Sequence, residues 1–193
     1  NALQRAQAWA LGTARLALID SRTLPRPATR GRYVSPSFDR PLPSHSDWYE
    51  MLQRESLQAA CDPRIVDWEA LVDVLKATHR LITSEGGNVV QWHRYLYPSI
   101  SVTAHADGVT QQRSLNGQRG MCQQGGVEIL DRVGFAGSGR RVAEEALELL
   151  LAPNCPSGRM DVLLAPDQMV LQIHESIGHP LELDRILGDE RNF

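Results

Sequence analysis

Two turn signals dictate how the middle of this chain can fold. Ser84-Glu85-Gly86-Gly87-Asn88 has the chemistry of a tight hairpin, and Asp107-Gly108 repeats it further on. Residues 89–106 between them are rich in β-branched and aromatic side chains, and residues 109–115 read as a further strand. Residues 64–84 are ambiguous by themselves. Ile65, Trp68, Leu71, Val72 and Leu75 fit a helix, whereas Val66, Trp68, Ala70, Val72 and Val74 alternate as a strand would. The hairpin that follows decides for strands. The predicted centre is an antiparallel meander whose first one or two members lie in residues 64–84.

Helices flank this meander. Leu3, Ala6, Ala10, Leu11, Ala14 and Leu18 recur with helical spacing over residues 2–20, interrupted by Gly12. Residues 21–44 hold five prolines and five arginines against one acid, Asp39, which excludes a long regular element. Such a segment either holds an anionic group or partner as a basic arm, or is an ordinary solvated connection. So few charges favour the connection. Ser46 reads as an N-cap, with a helix running to about Ala60 and stopping at Cys61-Asp62-Pro63. Gly117, Gly120, Gly125 and Gly126 follow neither a Rossmann nor a P-loop spacing, so residues 116–126 read as a flexible loop rather than a site. From Arg140, Val142, Ala146, Leu147, Leu150 and Leu151 mark an amphipathic helix that ends at Pro153. Residues 160–164 read as a short apolar strand, and Ala165-Pro166-Asp167 opens a last helix.

The fold class is therefore α+β: an antiparallel meander with flanking helices, ending in a helix that carries the chemistry. Residues 1–61 form a helical lead-in with the linker at 21–44, and residues 62–193 form the α+β domain. Composition agrees, since 42% hydrophobic and 22% charged residues in 193 can bury a core. A net charge of −3 argues against a nucleic-acid surface. No run approaches the roughly 18 apolar residues of a membrane span. Gln4, Arg5, Gln7 and Arg15 break up any signal-peptide pattern. Cys61, Cys122 and Cys155 are too few for a disulfide framework. A soluble cytoplasmic protein without nucleic-acid or membrane partners is expected. Asn1 at the start and the charged stretch before Phe193 suggest a segment of a longer protein.

The last helix reads His174-Glu175-Ser176-Ile177-Gly178-His179 within an apolar stretch fit to be buried. Two imidazoles can hold a metal ion such as zinc, and a carboxylate beside one of them can take a proton from water. Histidines five apart stand about 140° apart on a regular helix and point different ways. A local widening to i→i+5 bonding would bring them to one face, and Gly178 and Pro180 weaken the helix where it is needed. Otherwise His174 and His179 are partly buried histidines with one hydrogen bond each, and Glu175 is a solvated charge.

The chain resembles the TldD/PmbA family of zinc metallopeptidases, also called modulators of DNA gyrase. His174 to His179 matches that family's H-E-x-x-G-H motif, followed by Leu181-Glu182, Asp184 and Arg191-Asn192-Phe193. The upstream order also resembles the family's N-terminal domain, with strands from Asp62-Pro63-Arg64, a glycine loop, a helix and a short strand into the motif. The resemblance implies that His174 and His179 are zinc ligands, that Glu175 is the catalytic base, and that Glu182 and Asp184 support an imidazole. Pro180 departs from the family's usual glycine. The resemblance further implies a third ligand, a cysteine, from a C-terminal domain that this chain does not include, so the chain alone should be inactive. Peptides or partly unfolded small proteins would be the substrates, and a homo- or heterodimer with a paralogue the working form. The rival reading is a non-catalytic interaction or regulatory subunit.

Overall fold

The structure, a computed structural model, describes residues 1–15, 27–117 and 122–187. They divide into two compact units, Ala28–Asp161 and Asn1–Pro27 with Val162–Phe193.

In the first unit one long strand organises the rest. β3 (Asn88–Ala106) pairs antiparallel with β2 (Ile65–Ile82) along nearly its whole length, from Ile82 opposite Asn88 to Ile65 opposite Ala104, with a bulge between Ile65 and Asp67. Its other side is shared by three shorter strands. β1 (Arg30–Val34) lies parallel to residues 88–92. β5 (Gln123–Gln124) and β4 (Val109–Ser114) lie antiparallel to Tyr95-Leu96 and to residues 101–106. The expected meander is thus present as β2–β3–β4, but the sheet is mixed because β1 joins it in parallel. Asp107 and Gly108, with φ of 50° and 77°, form the second turn; two positive φ values are what a two-residue hairpin requires.

Alternate residues of β3 face the core: Leu96, Ile100, Val102 and Ala104 are fully or almost fully buried. Against them pack α2 (His45–Ala59), α3 (Glu128–Val133) and α4 (Ser138–Leu151), which contribute Ala59, Ile129, Val142, Ala143 and Ala146, together with Phe135. α2 also closes the N-terminus of α4. Its buried Glu55 accepts the Gly137 N–H at 2.8 Å and the Gly139 N–H at 3.0 Å, two donors that a helix start leaves without partners. Gly139 is needed there because a Cβ would run into the Glu55 carbonyl.

Several sequence expectations change. The N-cap of α2 is Ser44, not Ser46: the Ser44 hydroxyl accepts the Asp47 N–H at 3.2 Å and the Asp47 carboxylate accepts the Ser44 N–H at 3.0 Å. The proline-arginine segment, where described, is tied to the sheet through β1 rather than being a free connection; Arg32 stacks on Trp92 and Arg30 donates to the Gly86 carbonyl. Its residues 21–26 lie outside the described ones. The glycine segment is ordered over residues 122–126, where buried Arg94 of β3 gathers it in. The Arg94 Nε donates to the Gly125 carbonyl at 2.8 Å, its Nη1 to the Arg40 carbonyl at 2.7 Å, and its backbone N–H to the Ser35 hydroxyl at 2.8 Å. Gly120 lies outside the described residues.

The second unit holds α1 (Ala2–Thr13) and the motif segment. The helix expected over residues 2–20 is present to Thr13, capped by Asn1 and Gln4, and residues 16–20 lie outside the described ones. Residues 160–164 form no strand: strand structure needs a hydrogen-bonded neighbour, and no strand among the described residues pairs with them. No helix among the described residues is long and apolar enough to cross a membrane.

Candidate metal centre

α5 (Pro166–Ile173) starts with proline at its first position, where the missing N–H costs nothing. It does not continue as a regular helix. Residues His174–Gly178 widen into a π-turn in which the His179 N–H donates to the His174 carbonyl, five residues back. A tighter 3-10 turn follows, His179–Leu181, with Pro180 as its second residue. Lacking an N–H, Pro180 cannot close the i→i−4 bond that a continuing α-helix would make there. Gly178 is not what forces the widening, for its φ is −59° and a Cβ would meet nothing closer than the Ile173 carbonyl at 3.8 Å.

The extra residue in the turn rotates His179 back beneath His174. The two ring centroids stand 4.3 Å apart with planes at 71°. The Glu175 carboxylate spans them, Oε1 at 3.9 Å from the His174 Nε2 and Oε2 at 3.9 Å from the His179 Nε2. One ligating atom from each of the three residues fits within a span of 4.8 Å. Ligands at about 2.0–2.1 Å around a tetrahedral ion stand roughly 3.4 Å apart, so the atoms would draw closer than this span to share one ion.

The second ring nitrogen of His179 is committed elsewhere. Its Nδ1 lies 2.7 Å from the Glu182 Oε1, and the Glu182 Oε2 is 3.0 Å from the Arg185 Nε. A carboxylate oxygen only accepts, so Nδ1 donates to Glu182 and Nε2 is left on the side of His174 and Glu175. Imidazole nitrogens suit a divalent ion of borderline softness, so the two histidines fit as its holders, with the Glu175 carboxylate beside them.

Of the residues singled out in the sequence, His174, Glu175, His179 and Glu182 come together. Asp184 does not join them; its Oδ1 accepts the Arg185 N–H at the start of α6 (Leu183–Leu187). Arg185 was not anticipated, although its separation of three from Glu182 is a helical ion-pair spacing. Arg191, Asn192 and Phe193 lie outside the described residues. The burial expected for the motif is also corrected. The side chains of His174 and Glu175 are 58% and 52% exposed against 27% for His179, and Ile173, Ile177 and Leu181 are exposed too. None of Cys61, Cys122 and Cys155 belongs to the group, and all three are exposed.

No known protein-family profile matches the chain. It is similar to part of a protein named metalloprotease from Methanothermobacter thermautotrophicus, 47% identical over 66 residues, which is 34% of this chain and 14% of that protein. It is also similar to part of a protein named metalloprotease MJ0996 from Methanocaldococcus jannaschii, 42% identical over 48 residues, 25% of this chain and 11% of that protein. The matched stretch is thus a small part of each relative's length. A metalloprotease-like sequence and a His–Glu–His group able to hold a metal ion occur in one chain.

Proposed function

We propose that this chain supplies two ligands and the general base of a zinc peptidase of the TldD/PmbA type, acting on peptides or partly unfolded small proteins. The observation that carries this reading is the π-turn, which sets two imidazoles five residues apart within 4.3 Å of each other and beside a carboxylate. Such widenings cost a helix regularity and concentrate at functional sites.

In this reading the Nε2 atoms of His174 and His179 hold the ion. By the family's pattern, a cysteine from outside this chain would be the third ligand. Zinc held there would supply Lewis acidity toward a scissile carbonyl and a water. Glu175 accepts a proton from water in the gap beside the two rings and returns it to the leaving amine. Glu182 keeps His179 in the tautomer that ligates. A pure docking subunit has no use for a carboxylate set between two imidazoles, and that placement favours chemistry over the interaction-module reading.

The test uses the longer protein that carries the cysteine-bearing region. Glu175→Gln should retain stoichiometric zinc by elemental analysis and lower peptide hydrolysis at least about 100-fold, because it removes a base and no ligand. His174→Ala should lose the zinc. Unchanged turnover in Glu175→Gln, or zinc that survives loss of both histidines, overturns the reading.

A further inference from the structure

Where β1, β3 and β2 lie side by side, the register sets Arg32 and Arg80 on either side of Val90, Arg30 opposite Asn88, and Lys76 opposite Arg94. Directly paired residues point to the same face of a sheet, and so do residues two apart on one strand. Arg30, Arg32, Lys76 and Arg80 therefore share a face. Further along β3 the same face carries the core through Leu96 and Ile100, but at this end the four side chains are exposed. Two of these cations come from the proline-arginine segment and two from β2, and β3 brings them together by pairing with both strands.

Each of the four is held by a neutral group. The Arg32 Cζ lies 4.6 Å from the centre of the Trp92 ring and the Lys76 Nζ 5.4 Å from that of Phe38. The Arg30 Nε donates to the Gly86 carbonyl at 3.3 Å, and the Arg80 Nε stands 3.5 Å from the Asn88 Oδ1. Among the described residues none of the four forms an ion pair, whereas Arg64 pairs with Asp62, Arg140 with Glu144, and Arg113 and Arg141 with Glu145. The acids next to the holding groups, Asp39 beside Phe38 and Glu85 beside Gly86, are two against four. Side chains steadied in this way lose little freedom on binding and keep their charge for a ligand.

The spread of the charges selects the ligand. Strands about 4.8 Å apart and residues about 3.3 Å apart distribute the four over a field of roughly 10 by 20 Å. A lone phosphate or carboxylate reaches one or two of them. An extended segment with a carboxylate at every second residue spaces its charges about 6.7 Å apart, as Arg30 and Arg32 are spaced, and is long enough to meet all four. A single-stranded nucleic acid would need rings on which to stack its bases, and Trp92 and Phe38 are already covered by Arg32 and Lys76. The chain's net charge of −3 repels polyanions at a distance and leaves recognition to contact.

We propose that this face holds an acidic, extended segment of another protein by its carboxylates, separately from any substrate at the metal centre. Nothing in this depends on the metal-site reading, and a metal-free chain should bind equally well.

Fluorescence anisotropy of a labelled peptide of alternating Glu and Ser, about eight residues long, reads the contact in EDTA. A Kd on the order of 100 µM is expected at about 50 mM salt, weakening at least about tenfold at 0.3 M. Lys76→Gln combined with Arg80→Gln should weaken binding about tenfold with unchanged circular dichroism. Arg140→Gln combined with Arg141→Gln, the same loss of charge on α4, should change it less than about threefold. Titration of the wild type should move the amide resonances of residues 30–32, 76–80 and 90–92, which decides the matter even if a variant unfolds. No binding of the Glu peptide overturns the proposal, as do equal binding of its Gln counterpart, equal losses in the two double variants, or shifts confined to other residues. An oligothymidylate of equal charge that binds more tightly than the peptide would make nucleic acid the occupant. Pyrophosphate that displaces the peptide at equal charge concentration would make it a compact anion. Either result overturns the proposal.

Discussion

His179 shows what one side chain can accomplish when both of its nitrogens are assigned. Glu182 anchors Nδ1 at 2.7 Å and is itself held by Arg185 at 3.0 Å, which fixes the ring and makes Nε2 the better donor. Glu182→Gln keeps an oxygen that accepts but loses the charge. Zinc affinity by chelator competition should fall roughly 10- to 100-fold while the helical circular dichroism stays unchanged. Equal affinity in the two forms would confine Glu182 to a local ion pair with Arg185. These residues were legible because the chemistry is local: six positions of one segment hold both imidazoles and the carboxylate, and Glu182 is one turn on. Their exposure was not legible. The apolarity of Ile173 and Ile177 says what burial would gain, whereas burial itself depends on surfaces far away in the sequence.

Elements were readable in proportion to their length and periodicity. β3 and α4 announce themselves, the one by alternation between turn signals and the other by an apolar stripe. β1 has five exposed residues and α3 has six residues in all, too short for any period to emerge. The start of α2 shows how a local rule can choose between neighbours. Ser44 and Ser46 both suit an N-cap, but only Ser44 has an acid three positions on, and the reciprocal bonds with Asp47 select it. Ser44→Ala should therefore destabilise the chain by about 1 kcal/mol, a fall in Tm of roughly 2–4 °C. Ser46→Ala, within the first turn, should change little. Equal losses in the two variants, measured by thermal unfolding, would return the cap to Ser46. The π-turn belongs at this scale too: the need for it followed from histidine spacing, while neither the φ nor the surroundings of Gly178 demand a glycine there.

At the scale of the whole molecule, the described buried hydrophobic core lies within Ala28–Asp161, and its closures are non-local. Arg94 ties Ser35, Arg40 and Gly125 together, and Glu128 ties Ser37 to Gly126; no pattern in the sequence joins such distant positions. Glu128 makes that closure sensitive to pH. The Ser37 hydroxyl donates to its carboxylate at 2.7 Å and the Gly126 N–H at 2.8 Å; with Arg40 nearby, its pKa falls from 4.5 to about 2. Between those values the unfolded chain holds the proton and the folded chain does not, so folding is favoured in full above pH 4.5 and progressively less as pH falls toward 2. Screening of a partly exposed carboxylate reduces the effect to about 1–2 kcal/mol. Asp62, lowered to about 2 chiefly by its hydrogen bond from Arg64, adds a background of the same sign. The difference between wild type and Glu128→Gln isolates Glu128. In urea unfolding the variant should be the less stable near pH 7, and the gap should close as pH falls from about 5 to about 2. A gap that stays constant over that range would mean that Glu128 contributes through packing and not through its charge.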